Sequence, residues 1–429
     1  MDVDLLAALR SAPGEAALAR AAEVSGGDPL AGAAAMRADG VPPELAAAAL
    51  TQVQLRRRAV AKFGPDAALM FFTRAGLEQA TRAVVADRRA DRLRAAGVGR
   101  LLDLGCGLGA DALAAARAGI LVDAVEADPT TAAVAAANAA VLGLADRVRV
   151  RCADATTVEA TGYDAVFCDP ARRQGGRRVF DPTSYSPPWD FVVGLADRVP
   201  RTVLKLAPGI DHARIPAGAE AEWVSVAGEV VEAAFWCGPL AAVPRRATLL
   251  AAPTAPEGSV APPGRDAPPD PAAELTGPGT RAAPVGPVRR YLYDPDGAVV
   301  RAGLVAEFAE TIGGSLADSR IAYVYADRSV PTPFGRGFEV LDVAPFSVKR
   351  LRTALRERGI GRLEIRKRGA AVEPDQLRRE LRLAGPHGAT LVVTRVADAH
   401  TALLCAPRTA EPSDRVRPAG QGDRRRDQA

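Results

Sequence analysis

Residues 100–112 read Arg-Leu-Leu-Asp-Leu-Gly-Cys-Gly-Leu-Gly-Ala-Asp-Ala, an apolar run that passes into alternating glycines and then into an alanine-rich stretch. The apolar run predicts a buried strand, and the stretch beginning near Asp111 predicts a helix. Gly105, Gly107 and Gly109 carry no Cβ, so the backbone there turns sharply and can approach a ligand closely. A helix starting at this point aims its positive end and its free N–H groups at the same spot. Such a loop also serves as a plain βα turn with nothing bound, so the residues downstream decide between the two readings.

A second apolar run over 120–125 ends at Glu126. An acid about 20 residues past such a loop reaches ribose hydroxyls in dinucleotide-binding folds. Asp128-Pro129 then opens another alanine-rich helix. A third strand over 148–152 ends at Ala153-Asp154-Ala155, and a fourth over 163–168 ends at Asp169-Pro170-Ala171-Arg172-Arg173. A fifth over 202–206 ends at Ala207-Pro208-Gly209. In an open α/β sheet, ligands bind beyond the carboxyl ends of the strands. Each of these strands carries its polar or glycine residues at that end. The expected fold is therefore α/β, with a Rossmann-like sheet and one crevice.

Asp103-Leu104-Gly105-Cys106-Gly107-Leu108-Gly109, Glu126, Asp154 and Asp169-Pro170 resemble the motifs of class I S-adenosylmethionine-dependent methyltransferases. The resemblance implies that Asp103, Gly105, Gly107 and Gly109 hold the methionine portion of S-adenosyl-L-methionine. It implies that Glu126 binds the ribose hydroxyls and that Asp154 accepts from the adenine amino group. Asp169 and Pro170 would border the transferred methyl as the catalytic residues. Nicotinamide enzymes space their glycines as G-x-G-x-x-G, which would place the third at Ala110, a tolerated variant. The Asp-Pro ending of the fourth strand and the place of Asp154 favour the methyl donor.

A length of 429 residues allows two to three domains, and a hydrophobic content of 48% is enough for sizeable cores. A formal charge of +4 is too mild to point to a nucleic acid by itself. Cys106, Cys152, Cys168, Cys237 and Cys405 are scattered without a CxxC pair, which suits a reducing compartment. His212, His387 and His400 show no metal-ligand spacing, so no metal is expected. With no signal-peptide pattern and no apolar run long enough for a bilayer, a cytoplasmic protein without membrane contact is expected. Lysine is limited to Lys62, Lys205, Lys349 and Lys367, and this skew toward arginine cautions against reading every arginine as a nucleic-acid contact.

The expected divisions are a helical region over 1–95, the sheet domain over 96–251 and a Pro/Ala-rich linker over 252–287. An α+β domain over 288–406 and a disordered tail over 407–429 complete the chain. Near the start, one helix is expected over 3–23, a second over 28–38 and a third over 42–58. Thr73 is expected to cap a helix holding Glu78, Gln79 and Thr81. These residues, with Phe71 and Phe72, either line the pocket or dock the helix. Three strands over 222–226, 230–237 and 246–250 follow the fifth, the last two expected as the closing hairpin. Later, a helix is expected over 300–312 and another over 373–383 with Gly385 as its cap.

Tyr291-Leu292-Tyr293-Asp294-Pro295, Pro345-Phe346, Gly359-Ile360, Leu-Glu-Ile-Arg-Lys-Arg-Gly over 363–369 and Thr-Leu-Val-Val-Thr-Arg over 390–395 resemble the THUMP-like domain of a group of bacterial class I methyltransferases. Because THUMP domains occur in RNA-modifying enzymes, the resemblance implies an RNA substrate, tRNA or rRNA. Charge points the same way. Residues 349–382 hold twelve basic and five acidic side chains, an excess of seven in a chain whose total is +4. Such concentration is a footprint for a polyanion, and the alternative is an arginine-rich solvated surface. Lys349, Arg366, Lys367 and Arg368 are the RNA-binding candidates in this stretch.

Amino-methylating enzymes often follow the fourth strand with Asp or Asn, two prolines and an aromatic residue. Here the second proline and the aromatic are missing, but Asp169 and the Pro170 carbonyl can still accept from an amine. The Asp-Pro-Ala-Arg stretch is also similar to the RNA uracil C5 methyltransferases, which use a cysteine after the fifth strand. The corresponding residues 205–211 contain no cysteine, so covalent C5 chemistry is not expected and N-methylation of a base is. Phe180, Tyr185 and Trp189 either stack a base or pack a loop. Arg172, Arg173, Arg177 and Arg178 either grip phosphate or pair with local acids. The alternative function is a small-molecule or protein methyltransferase whose C-terminal module is a lid or an oligomer contact.

Overall fold

The computed structural model describes residues 1–26, 29–172, 185–251 and 272–407. Arg173, Arg177, Arg178 and Phe180 lie outside the described residues, as do 252–271 of the expected linker and the expected tail beyond 407. The described residues divide into two compact units, one holding 1–251 with 276–279 and the other 272–275 with 280–407. Among the described residues, no helix is long and apolar enough to cross a membrane.

In the first unit, β1 (Arg100–Leu104) buries every side chain after Arg100. It runs parallel to β2 (Leu121–Glu126), and β2 runs parallel to β3 (Val148–Cys152). On its other side β1 pairs with β4 (Ala165–Cys168). After the short antiparallel pair β5 (Ala171–Arg172) and β6 (Tyr185–Ser186), β7 (Thr202–Leu206) lies parallel to β4. β1, β4 and β7 are near-continuous buried runs, as befits the interior of a parallel sheet covered on both faces, whereas the edge strand β3 alternates valine and arginine. Strand order reverses between β1 and β4, and that switch point opens a crevice at the carboxyl ends.

The antiparallel part differs from the expectation. The hairpin is made by β8 (Glu220–Val226) and β9 (Glu229–Trp236), and β9 inserts between β7 and β8. β10 (Arg245–Leu250) returns parallel to β8. The turn at Ala227-Gly228 has φ of 52° and 86°. Two positive values suit a two-residue hairpin that matches strand twist. A turn built on alanine rather than Asn or Asp carries little signal in sequence.

The N-terminal helices share one hydrophobic core with the sheet, Leu9, Met36 and Phe63 clustering with Leu101, Leu113 and Val134. The expected single helix over 3–23 is two, Val3–Leu9 and Ala12–Val24. Ser11 breaks it, its Oγ accepting from the Gly14 N–H at 3.3 Å. A Cβ on Gly14 would sit 2.1 Å from the Ala8 carbonyl oxygen, so only glycine fits beneath the preceding helix. Buried amides dock the segment before the capped helix. The Asn138 side chain accepts from the Phe71 N–H and donates to the carbonyls of Phe71 and Leu108, and Gln52 bonds both backbone groups of Phe72.

Helix Ala83–Ala95 is held on β8–β10 by charge. Arg92 makes a bidentate pair with Glu220 at 2.7 Å and lies 3.8 Å over the Trp236 ring. Arg246 and the Ala242 N–H also donate to Glu220. Burial pushes the Glu220 carboxyl up, but these donors outweigh it and bring it down to about 2. A depressed carboxyl stabilises the fold fully above its unfolded value near 4.5, and that contribution fades as pH falls toward 2. Glu220→Gln is therefore expected to cost about 3 kcal/mol at pH 7, with the gap from wild type narrowing by pH 3. Urea unfolding at both pH values checks this.

After β11 (Ala272–Gly277), a strand inside the expected linker, the second unit adds seven more. They are β12 (Tyr291–Pro295), β13 (Ser315–Leu316), β14 (Val324–Ala326), β15 (Gly335–Pro345), β16 (Ile360–Lys367), β17 (His387–Val396) and β18 (Ala399–Pro407). They form one sheet in the order β13-β14-β12-β15-β18-β17-β16. Helices Val348–Glu357 and Pro374–Leu381 pack Leu351, Leu355, Leu377 and Leu381 against its Leu363, Leu391, Val393 and Leu404. The expected helix over 300–312 is broken at Gly303 into Gly297–Arg301 and Val305–Thr311. The later helix ends on Arg382, in the left-handed conformation at φ 49°, three residues before the expected Gly385.

Candidate active site

The carboxyl ends of β1, β2, β4 and β7, with residues from the 73–81 segment, enclose a cleft of about 680 Å³ in the first unit. Gly105 has φ of 84°, and a Cβ on it would lie 2.6 Å from the Asp169 carbonyl oxygen, so the loop presses against the end of β4. Gly107 has φ of 56° and faces open space, with nothing within 4 Å of an added Cβ. Gly109, at φ 90°, is the residue before helix Ala110–Arg117. Gly105 and Gly107 line the cleft.

Glu126 also lines it. One carboxylate oxygen accepts from the Gly107 N–H at 3.1 Å and the other from the Asp128 N–H at 3.0 Å. A carboxylate has about four acceptor sites, so capacity for a pair of hydroxyls remains. Asp154, exposed at the end of β3, accepts from the Thr156 N–H and hydroxyl, both at 2.8 Å, and these bonds hold its carboxyl below the usual range. Asp103 differs from expectation in position. It is fully buried, does not line the cleft, and neither carboxylate oxygen has a hydrogen-bond partner among the described residues. Burial, with Asp111 and Asp169 nearby, pushes its carboxyl well up.

Asp169 and Pro170 line the cleft at the end of β4. Lys205, on β7, donates to Asp169 at 2.5 Å and to the Thr81 hydroxyl at 2.8 Å. Thr81 bonds Asp111 at 2.5 Å, Asp111 takes the Arg89 Nε at 2.9 Å, and Arg89 also grips Glu232. The floor of the site is thus a continuous chain of opposite charges. Burial opposes charge on Lys205, yet Asp169, Asp111 and Glu232 outweigh it and raise its ammonium. Sequence reasoning did not single out Lys205, Asp111, Arg89 or Glu232 as site residues. The available signal was a lysine inside the apolar strand Thr-Val-Leu-Lys-Leu, because a buried charge needs partners.

The Thr73 hydroxyl accepts from the Gly76 N–H at 3.0 Å and starts helix Arg74–Gln79, which ends before Thr81. Thr73, Gln79 and Thr81 line the cleft, whereas Phe71 and Phe72 are buried in the core and Glu78 is not a lining residue. Lys62 caps the end of that helix, donating to the carbonyls of Leu77, Glu78 and Ala80 at 2.8–2.9 Å. Burial brings its ammonium down to about 8. Tyr185 lines the cleft but is buried; Trp189 packs beside it, ring centroids 5.8 Å apart, and is not a lining residue. The Arg172 side chain lies outside what the structure describes.

In the second unit the expected cationic cluster splits. Arg366 and Arg368 are half-buried, both bonded to Asp294, with Arg366 over Phe338 and Arg368 over Tyr323. Lys367 pairs with Glu373. These three are engaged by acids of the fold rather than free. Lys349, Arg350, Arg356, Arg362, Arg379 and Arg382 are exposed and form no ion pair among the described residues.

Family models match three stretches of the chain. One described as a methyltransferase domain matches residues 101–173, one described as THUMP domain-like matches 335–407, and a domain of unknown function matches 2–59. Proteins of Mycobacterium tuberculosis strains CDC 1551 and H37Rv, both named uncharacterized S-adenosylmethionine-dependent methyltransferases, are 37% identical over 374 residues. The match covers 82% of this chain and 95% of theirs. A crystal structure from Porphyromonas gingivalis W83, named as a methyltransferase, superposes with a TM-score of 0.67 at 23% identity. It covers 85% of this chain and 91% of that one, and at such identity the likeness speaks for the fold alone.

Proposed function

The chain belongs to the S-adenosylmethionine-dependent methyltransferases, and from that premise we propose that it N-methylates a base in RNA, in the cytoplasm. When bound, S-adenosyl-L-methionine supplies a methyl group on a sulfonium sulfur, open to in-line displacement. The residues present suit it. Glu126 offers spare acceptor capacity to the ribose hydroxyls, and Asp154 serves the adenine amino group. The open face of Gly107 admits a ligand without a Cβ in the way. Asp103 is buried outside the cleft near the end of β1, so its proposed part toward the methionine end is to hold the strand end that carries the glycine loop rather than to meet a charge of the cofactor.

For the acceptor, Asp169 and the Pro170 carbonyl hold the N–H groups of an exocyclic amine beside the methyl. Positioning of nucleophile and methyl supplies much of the rate, and Asp169 takes up the proton that the nitrogen sheds. Tyr185 contributes a wall of the cleft.

The observation that carries RNA as the substrate is a set of exposed cations on the THUMP-like unit, Lys349, Arg350, Arg356, Arg362, Arg379 and Arg382, which have no ion-pair partner among the described residues. Phosphate contacts of this kind make binding fall steeply with salt. Affinity for bulk tRNA or rRNA is expected to drop with rising salt. The triple variant Arg350→Gln, Arg356→Gln, Arg379→Gln is expected to bind more weakly and to flatten the salt slope by about three. Affinity indifferent to salt and to these changes would turn the reading toward a small-molecule or protein substrate. Mass spectrometry of nucleosides from cells with and without the gene identifies the modified base.

A further inference from the structure

Hydrogen bonds around Lys205 can run in only one sense. The Thr81 hydroxyl has a single proton and sits 2.5 Å from Asp111 and 2.8 Å from Lys205 Nζ. Asp111 already accepts from Arg89, so it is an anionic acceptor and the hydroxyl proton points to it. Thr81 then turns a lone pair toward Lys205, which must donate. A second Lys205 N–H goes to Asp169 at 2.5 Å, and both side chains line the cleft. The sequence of groups is Arg89 cation, Asp111 anion, Thr81 hydroxyl, Lys205 cation, Asp169 anion.

We propose that Lys205 is the positioning residue for Asp169, holding this carboxylate oriented toward the acceptor nitrogen while Thr81 ties the pair to the 73–81 wall of the cleft. The proposal rests on the acid role given to Asp169. One Asp169 oxygen is committed to Lys205, which fixes the plane of the carboxylate; the other accepts from no group among the described residues and is the one offered to an N–H of the substrate. Removing Lys205 takes away the cation bonded to this carboxylate and frees its plane to turn from the acceptor. Lys205 acts through Asp169, and no bond to the methyl or to sulfur is assigned to it.

Lys205→Met and Lys205→Arg in the full chain test this with two readouts. The first needs no substrate: the Asp169 carboxyl carbon is followed by ¹³C NMR titration, with Asp169→Asn as the assignment control. Lys205→Met is expected to move its midpoint up by about one unit or more, and Lys205→Arg to leave it near wild type. The second is methyl incorporation from labelled S-adenosylmethionine into RNA from cells lacking the gene, measured across pH. The acid limb of the Lys205→Met profile is expected to shift up with the midpoint, with cofactor affinity within about threefold and rate down about 10²-fold. Should Lys205→Met not fold, Lys205→Gln keeps a donor without the charge and carries the same test. An unchanged Asp169 midpoint without the cation overturns the positioning role. Absence of methyl transfer to RNA by the wild type overturns the RNA reading instead, and the carboxyl titration still decides on Lys205.

Discussion

Asp169→Asn is expected to lower methyl transfer by about 10²–10⁴-fold while cofactor affinity stays within about threefold of wild type. The separation follows from where the groups sit. The residues suited to the cofactor come from β1, β2 and β3, whereas Asp169 closes β4 and its carboxylate is tied to Lys205. Asparagine keeps the shape and a partner oxygen for Lys205 but cannot take a proton from a nitrogen nucleophile. Alanine is expected to abolish turnover as well, though it also leaves the Lys205 ammonium with one fewer partner in a buried floor. Calorimetry with S-adenosylhomocysteine and methyl incorporation into RNA separate the two effects. Affinity falling in step with turnover would move Asp169 into the cofactor site.

The parts of the fold legible in sequence are those whose signal is local. A glycine loop between an apolar run and an alanine helix identifies itself, and so do the carboxyl-end residues Glu126, Asp154 and Asp169. The hairpin partners are a matter of long-range register, and nothing around Ala227-Gly228 announces that β9 will slip between β7 and β8. The break at Ser11 depends on what Gly14 must fit beneath, which only the packed structure supplies.

Charge is the least legible layer. The basic stretch 349–382 reads as one footprint because a local window cannot see Asp294 or Asp342, acids from earlier strands that take up Arg366, Arg368 and Arg358. Helix Ala83–Ala95 has the same ambiguity. Its Asp and Arg residues have the composition of a solvated face, yet Arg89 and Arg92 turn inward to buried carboxylates on β8 and β9. Intrinsic propensity and periodicity do not distinguish a cation facing water from one facing Glu232.

Arg89→Met is the sharpest test of that buried layer, with an expected loss of about 3–5 kcal/mol at neutral pH. Arg89 is 4% exposed, lies 4.7 Å from the centre of the Phe167 ring and bonds both Asp111 and Glu232. Methionine fills much of the volume, so the loss measures the charge. Without the guanidinium, Asp111 and Glu232 are two buried carboxylates with Lys205 as the cation left near both. Burial already holds the Glu232 carboxyl above its usual range and then pushes it further, and Asp111, which Arg89 had kept below, rises as well. Groups of that kind bind more protons when folded, so stability falls as pH rises. The penalty is therefore expected to be larger at pH 8 than at pH 5, and Glu232→Gln added to Arg89→Met is expected to recover part of it. Urea unfolding of both variants at the two pH values decides. A cost below about 1 kcal/mol that does not vary with pH would mean that the chain of charges beneath Asp169 is not what holds the floor of the cleft together.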